Sequence, residues 1–194
     1  MGMSKAIFLD RDGVINELVF HPKTKEYVAP HFPDELKLFP WTIDAIKTFQ
    51  QLGYKLFIVS NQPDCAKGKT TLENLNLVHE KLHKIFIENN IAISEYFYCY
   101  HHPNGINPEL TQKCECRKPG IYFLKLAKKK FNIDFKKSWF IGDRDTDIYC
   151  GQNAGTKTIQ IKEEKSLEYT GKSSPDFITN NLKEACEIIK KEGL

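Results

Sequence analysis

The chain has 194 residues, enough for one compact domain that buries its own core. Its 28 Lys and Arg against 25 Asp and Glu leave a formal charge of +3, too small an excess to mark a nucleic-acid or membrane surface. No run of eighteen apolar residues would make a transmembrane helix, and six cysteines in this composition point to metal binding or burial rather than a disulfide framework.

The first residues, MGMSKAIFLDRDG, turn acidic where a signal peptide would continue its apolar run, so a cytoplasmic chain is expected. Ala6–Leu9 reads as the first strand, short and apolar. Pro40 to Leu52 has helical periodicity and stops at Gly53, a good C-terminal cap. Lys55–Val59 is a second strand. Thr71 to Asn89 puts Leu72, Leu75, Val78, Leu82, Ile85 and Phe86 on one helical face. Tyr96–Tyr100 is a third strand, and Pro119 stands where the first residue of a helix over Gly120–Phe131 belongs. Trp139–Ile141 and Thr158–Ile161 are further strands, separated by a helix at Thr146–Ala154. Leu182–Lys191 is the last helix. There is no repeat, low-complexity tract or linker, so residues 1–194 are read as a single domain. Alternating strands and helices with apolar strands predict an α/β fold, a central parallel sheet covered on both faces. In such folds ligands sit beyond the carboxyl ends of the strands.

Three strand ends carry chemistry. After the first comes Asp10-Arg11-Asp12-Gly13, two carboxylates that can share a pocket and suit Mg²⁺, although Asp-Gly is also a common turn. After the second comes Ser60-Asn61-Gln62, able to hold phosphate oxygens or simply to turn the chain. After the fourth comes Gly142-Asp143-Arg144-Asp145-Thr146-Asp147, acids that either repel one another around a cation or favour a helix N-terminus. Arg117-Lys118, before a predicted helix, is a candidate anion site or a pair of surface cations. Cys99, His101, Cys114 and Cys116 lie within eighteen residues of polar loop and make a tetrahedral Zn²⁺ set, the alternative being free buried thiols. Burial suits Cys65, Cys150 and Cys186 better.

Taken together, FLDRDGVIN, VSNQ, the Lys of CRKP and GDRDTD resemble, in order, the four motifs of the haloacid dehalogenase (HAD) phosphohydrolase superfamily. The resemblance spans Asp10 to Asp147. It implies a three-layer Rossmann-like fold and a phosphatase that works through an aspartyl-phosphate. By that resemblance Asp10 is the nucleophile and Asp12 the proton donor and acceptor. Mg²⁺ is held by Asp10, the main-chain carbonyl of Asp12, and Asp143. Ser60 and Lys118 bind the transferring phosphoryl group, and Asp147 orients Lys118. The C-x-H…C-x-C-R-K-P pattern resembles the heptose-1,7-bisphosphate 7-phosphatases and the related histidinol-phosphatases, small HAD enzymes without a large cap domain. CYHHPNG and NQPDCAKGKTT favour the heptose branch. The resemblance implies structural zinc tying down the loop at 99–116, with Asn61, Arg117 and Arg144 as substrate-binding residues. The expected partner is a small phosphorylated metabolite, with no nucleic acid or membrane, and the expected state is a monomer. The segment 17–40 is longer than the short Gly-Tyr-Val segment usual in that branch, and is expected to form part of the specificity wall. The competing readings are a histidinol-phosphatase or another phosphomonoesterase and, outside enzymes, a zinc-containing nucleic-acid-binding module, which the near-neutral charge disfavours.

Overall fold

The computed structural model describes residues 2–22 and 24–193. Its strands are β1 (Ala6–Leu9), β2 (Val19–His21), β3 (Glu26–Val28), β4 (Lys55–Asn61), β5 (Ile93–Cys99), β6 (Trp139–Gly142), β7 (Lys157–Ile161) and β8 (Phe177–Thr179). The helices are α1 (Thr42–Gln51), α2 (Leu72–Glu88), α3 (Tyr122–Phe131), α4 (Asp145–Ala154) and α5 (Leu182–Glu192). Six strands form one sheet in the order β5-β4-β1-β6-β7-β8. Every pairing in it is parallel.

The alternation of side chains along β1 builds two cores. Ile7 and Leu9 face one side with Ile46 and Phe49 of α1, Val78 and Leu82 of α2, and Leu182 and Ile189 of α5. Ala6 and Phe8 face the other side with Leu124 and Ala127 of α3 and Cys150 of α4. Three layers follow, as the apolar strands predict. Helix ends obey local chemistry: Thr71 Oγ1 accepts from the Asn74 amide at 3.1 Å to start α2, and Gly155 closes α4 at φ 84°.

The chain runs outward from β1 through β4 to β5, then returns to place β6 on the other side of β1. That reversal opens a crevice at the carboxyl ends of β1, β4 and β6, where the three acidic and polar motifs emerge.

Some expectations need correction. The third predicted strand lies at Ile93–Cys99, shifted toward the N-terminus, and its pairing with β4 is irregular between Leu56 and Phe57. α3 starts at Tyr122 because Arg117–Gly120 forms a turn, closed by the Gly120 amide donating to the Arg117 carbonyl at 2.8 Å. β2, β3 and β8, each three residues long, are too short for a period-two signal. The first two pair as an antiparallel hairpin within the long 17–40 segment.

Candidate active site

Asp10 follows β1, its amide donating to the Ile141 carbonyl of β6 at 2.9 Å, so its side chain emerges at the crevice. Gly13 turns the chain with φ +86°, and a Cβ there would lie 2.4 Å from Asp143 Oδ2. Gly142 serves closeness alone, since its Cβ would meet Asp147 Cβ at 2.1 Å. Gly13 therefore lets the first motif close on the fourth, and Gly142 lets the fourth fold back on itself.

Asp10, Asp143 and Asp147 are buried and offer carboxylate oxygens within 4.8 Å of one another. Lys118 Nζ stands between two of them, 2.7 Å from Asp10 Oδ1 and 2.6 Å from Asp147 Oδ1. Its hydrogen bond goes to the Val59 carbonyl at 2.7 Å, so these two contacts are ion pairs without hydrogen-bond geometry. Burial alone would lower the ammonium pKa, but the charges of Asp10 and Asp147 outweigh it and raise it. Burial works against ionising Asp10 too, yet Lys118 holds its carboxyl below the usual range. Asp143 behaves oppositely: burial, then repulsion from Asp10 and Asp147, pushes it well above the carboxylate range. Its Oδ2 accepts from Ser166 Oγ, and its Oδ1 is buried without a hydrogen bond.

Three clustered carboxylates against one ammonium, with Asp143 Oδ1 left without a partner, suit a hard divalent cation, which would supply the charge that one lysine cannot. The carboxylate of Asp12 is not in the cluster. It accepts from Arg11 Nε (3.0 Å) and an Arg11 terminal nitrogen (3.1 Å), from Asn16 (3.0 Å), and from Gln62 Nε2 (2.6 Å). Gln62 Nε2 also reaches Ser60 Oγ at 3.0 Å, so the first two motifs share one buried network.

Asn61, expected at the substrate, also holds Lys118. Its amide oxygen accepts from the Lys118 amide at 3.0 Å and its amide nitrogen donates to the Lys118 carbonyl at 3.2 Å, clamping that residue's backbone. Arg117 is half-buried, with one terminal nitrogen 3.5 Å from the His101 carbonyl. Arg144 stacks over the Tyr169 ring at 4.3 Å and lies 3.7 Å from Asp143 Oδ2.

A cavity of about 510 Å³ joins these groups. Asp10, Asp12, Ser60, Asn61 and Lys118 line it with Arg117 and Arg144. Other lining residues were not singled out from the sequence, although those of the β2–β3 hairpin fall in the 17–40 segment expected to wall the site. Glu26 and Tyr27 come from the β2–β3 hairpin, Asp64, Lys67 and Lys69 from the loop after β4, and Lys172 from the loop after β7. The hairpin is fastened to the β4 loop by a Glu26–Lys69 ion pair and by the buried His31–Asp64 pair, Nε2 to Oδ2 at 2.8 Å. Asp145 holds the turn of Lys172 through the amides of Lys172 (3.0 Å) and Ser173 (2.9 Å). Residues so far apart in sequence carry no local signal. Arg11 was visible only as a spacer between two acids, and the fold buries it to 1% exposure.

Cys99, His101, Cys114 and Cys116 converge as a second cluster. The sulfurs lie 3.3–3.6 Å apart and His101 Nδ1 is 3.4 Å from Cys116 Sγ. Tetrahedral ligands about 2.3 Å from a zinc ion would stand about 3.8 Å apart, so the donor set fits that metal. The structure also separates the two histidines: His102 Nδ1 accepts from the Asn104 amide at 3.1 Å and its side chain lines the cavity.

Known proteins share these features. A HAD-hydrolase-like family model matches residues 115–185. A D-glycero-alpha-D-manno-heptose-1,7-bisphosphate 7-phosphatase from Photorhabdus laumondii is 36% identical over 151 residues, 78% of either chain. A D-glycero-beta-D-manno-heptose-1,7-bisphosphate 7-phosphatase from Salmonella typhi is 33% identical over 189 residues, 96% of either chain. Among solved structures, a D,D-heptose 1,7-bisphosphate phosphatase from B. bronchiseptica, complexed with magnesium and phosphate, superposes with a TM-score of 0.78. That match covers 97% of this chain and 99% of the other at 24% identity, so it bears on the fold. Identity of about one third along nearly the whole length of both chains, on a HAD architecture, makes this protein a member of the heptose-1,7-bisphosphate 7-phosphatase family and a phosphoric monoester hydrolase of the HAD type.

Proposed function

We propose that this phosphatase removes the 7-phosphate of D-glycero-D-manno-heptose 1,7-bisphosphate through an aspartyl-phosphate on Asp10. The observation that carries the reading is the cavity, whose lining joins the buried Asp10 and Lys118 to five further cations, Arg117, Arg144, Lys67, Lys69 and Lys172. An anion with phosphate at both ends matches that distribution of charge. Histidinol phosphate carries an amine where the bisphosphate carries its second phosphate, and would set like charges together.

In the first step an Asp10 carboxylate oxygen attacks phosphorus, the phosphorus–oxygen bond to C7 breaks, and Asp12 gives the leaving oxygen its proton. Water then attacks the acyl-phosphate, Asp12 takes the water proton, and Asp10 is released with inorganic phosphate. Lys118 and Ser60 hold the phosphoryl oxygens as charge builds on them. Asp147 keeps Lys118 in place and Asn61 clamps its backbone. Four donors cover the Asp12 oxygens, so proton exchange requires one to give way. Asp10, the Asp12 main-chain carbonyl and Asp143 would hold magnesium, which would offset the repulsion between anionic nucleophile and anionic phosphate. The cysteine cluster with His101 holds structural zinc. This reading also keeps the expectation of a cytoplasmic enzyme, and no helix among the described residues is long and apolar enough to cross a membrane.

The test is phosphate release from the heptose bisphosphate, histidinol phosphate and p-nitrophenyl phosphate, with and without Mg²⁺, for the parent and Asp10→Asn. The bisphosphate should be hydrolysed fastest, only with Mg²⁺, and not by the variant. A parent that prefers histidinol phosphate would favour the alternative substrate, and an active Asp10→Asn would remove the nucleophile assignment.

A further inference from the structure

On α2, remote in sequence from both clusters above, the chain reads His79-Glu80-Lys81-Leu82-His83. Histidines four residues apart project from one helical face, and H-E-x-x-H on a helix is a known spacing for two ligands to one ion. Leu82 anchors this turn in the core, whereas His79 is half-buried and His83 exposed. Neither imidazole is loose. His79 Nδ1 lies 3.2 Å from the Tyr98 hydroxyl and His83 Nδ1 lies 3.0 Å from the Tyr96 hydroxyl, both on β5, the edge strand of the sheet. The two rings are within 18° of parallel, with centroids 5.9 Å apart. Tyr96 meets both edge-on, at 4.6 Å from His79 and 5.5 Å from His83.

Two imidazoles that bind one ion through Nε2 at about 2.0–2.1 Å place their ring centroids roughly 4.5–5.3 Å apart. The observed separation is wider by about 1 Å, a gap that rotation of the exposed His83 side chain closes. When each Nδ1–H donates to its phenol oxygen, the Nε2 lone pairs are left for an ion, the arrangement that outer hydrogen-bond partners impose on metal-binding histidines. We propose that His79 and His83 form a separate site for a divalent transition-metal ion, with Tyr96 and Tyr98 holding the two rings in the metal-binding tautomer. Imidazole donors select Zn²⁺, Ni²⁺ or Cu²⁺ over Mg²⁺. No third His, Cys, Asp or Glu joins the pair among the described residues, so water completes the coordination and the ion exchanges readily. Glu80 is exposed and takes no part.

The test uses tag-free protein with zinc already in its cysteine cluster and Mg²⁺ present, titrated calorimetrically with Ni²⁺. The parent should bind one Ni²⁺ per chain. His83→Ala should weaken that binding at least tenfold while hydrolysis without nickel is unchanged, which certifies its fold. Tyr96→Phe should weaken it about tenfold, the usual effect of removing such an outer partner. His102→Ala should bind as the parent does. Equal nickel affinity in His83→Ala, or its loss in His102→Ala, would overturn the site, and an unaltered Tyr96→Phe would overturn the part assigned to the phenols.

Discussion

Gly13 carries two burdens at once: a left-handed backbone and the approach of Asp143 to within 2.4 Å of where a Cβ would stand. Alanine there adds strain of about 1–3 kcal/mol and pushes Asp143 out of the carboxylate cluster. Gly13→Ala should therefore lower thermal stability and raise the Mg²⁺ concentration needed for half-maximal activity. An unaltered Mg²⁺ requirement would break the link between the turn and the cluster. Arg117 tests the cationic lining of the cavity. Burial lowers its guanidinium pKa, and it has no carboxylate partner among the ion pairs of the described residues. A charged hydrogen bond to a second phosphate contributes about 1.5–3 kcal/mol, or roughly 10- to 150-fold in kcat/KM. Arg117→Ala should lose that factor on the heptose bisphosphate and far less on a monophosphate ester. Equal losses on both would deny it a role in reading the second phosphate.

At the scale of elements, the β2–β3 hairpin decides the shape of the cavity, and it is held from outside itself. The His31–Asp64 pair is buried on both sides, with side-chain exposures of 1% and 9%. Burial opposes the Asp64 charge, but the His31 hydrogen bond and charge hold its carboxyl below the ordinary 3.8. A depressed carboxyl contributes stability that is present above the unfolded-state value and is lost as pH falls through the folded-state one. Asp64→Asn should cost roughly 2 kcal/mol at neutral pH. The gap between parent and variant should narrow only below pH about 3.8, as the linkage requires. Denaturant unfolding at a series of pH values measures this, and a gap that closes already at pH 6 would mean Asp64 is not the titrating partner. The variant should also raise KM more than it lowers kcat, since the hairpin walls the cavity without carrying the reacting groups.

Across the whole molecule, the cysteine cluster ties distant parts of the active site together. Cys116 immediately precedes Arg117 and Lys118, and the same loop meets the β4 loop where the amides of Ile106 and Asn107 both donate to the Ala66 carbonyl, at 2.7 and 3.0 Å. Lys67 and Lys69 follow Ala66 and line the cavity. Cys116→Ser should lower the melting temperature and raise KM together, with zinc content falling by elemental analysis. Brief chelation, in contrast, should stop turnover reversibly without moving the melting temperature, because few protein groups hold magnesium. A melting temperature that drops on brief chelation and stays put in Cys116→Ser would reverse the two assignments.

Much of this protein was legible in its sequence. Alternating short apolar runs and amphipathic stretches placed five strands and five helices, because burial on both faces of a parallel sheet demands those patterns. Asp10, Ser60 and Asp143 were legible as candidates because strand ends present side chains to the crevice, Lys118 because it precedes a predicted helix, and the Cys and His spacing marked a group that could hold a metal ion. Other features belonged to the tertiary structure alone. His31 meets Asp64, Glu26 meets Lys69, Ser166 meets Asp143, and Asn61 clamps Lys118, each across many residues of chain. Arg11 and Asn16 reach Asp12 locally, but its fourth donor, Gln62, arrives only once β1 and β4 lie side by side. The physical reason is one of range. Hydrophobic periodicity and turn chemistry act over a few residues and leave a trace in the local sequence, whereas the partners of buried charges are chosen by which loops the sheet order brings to one crevice.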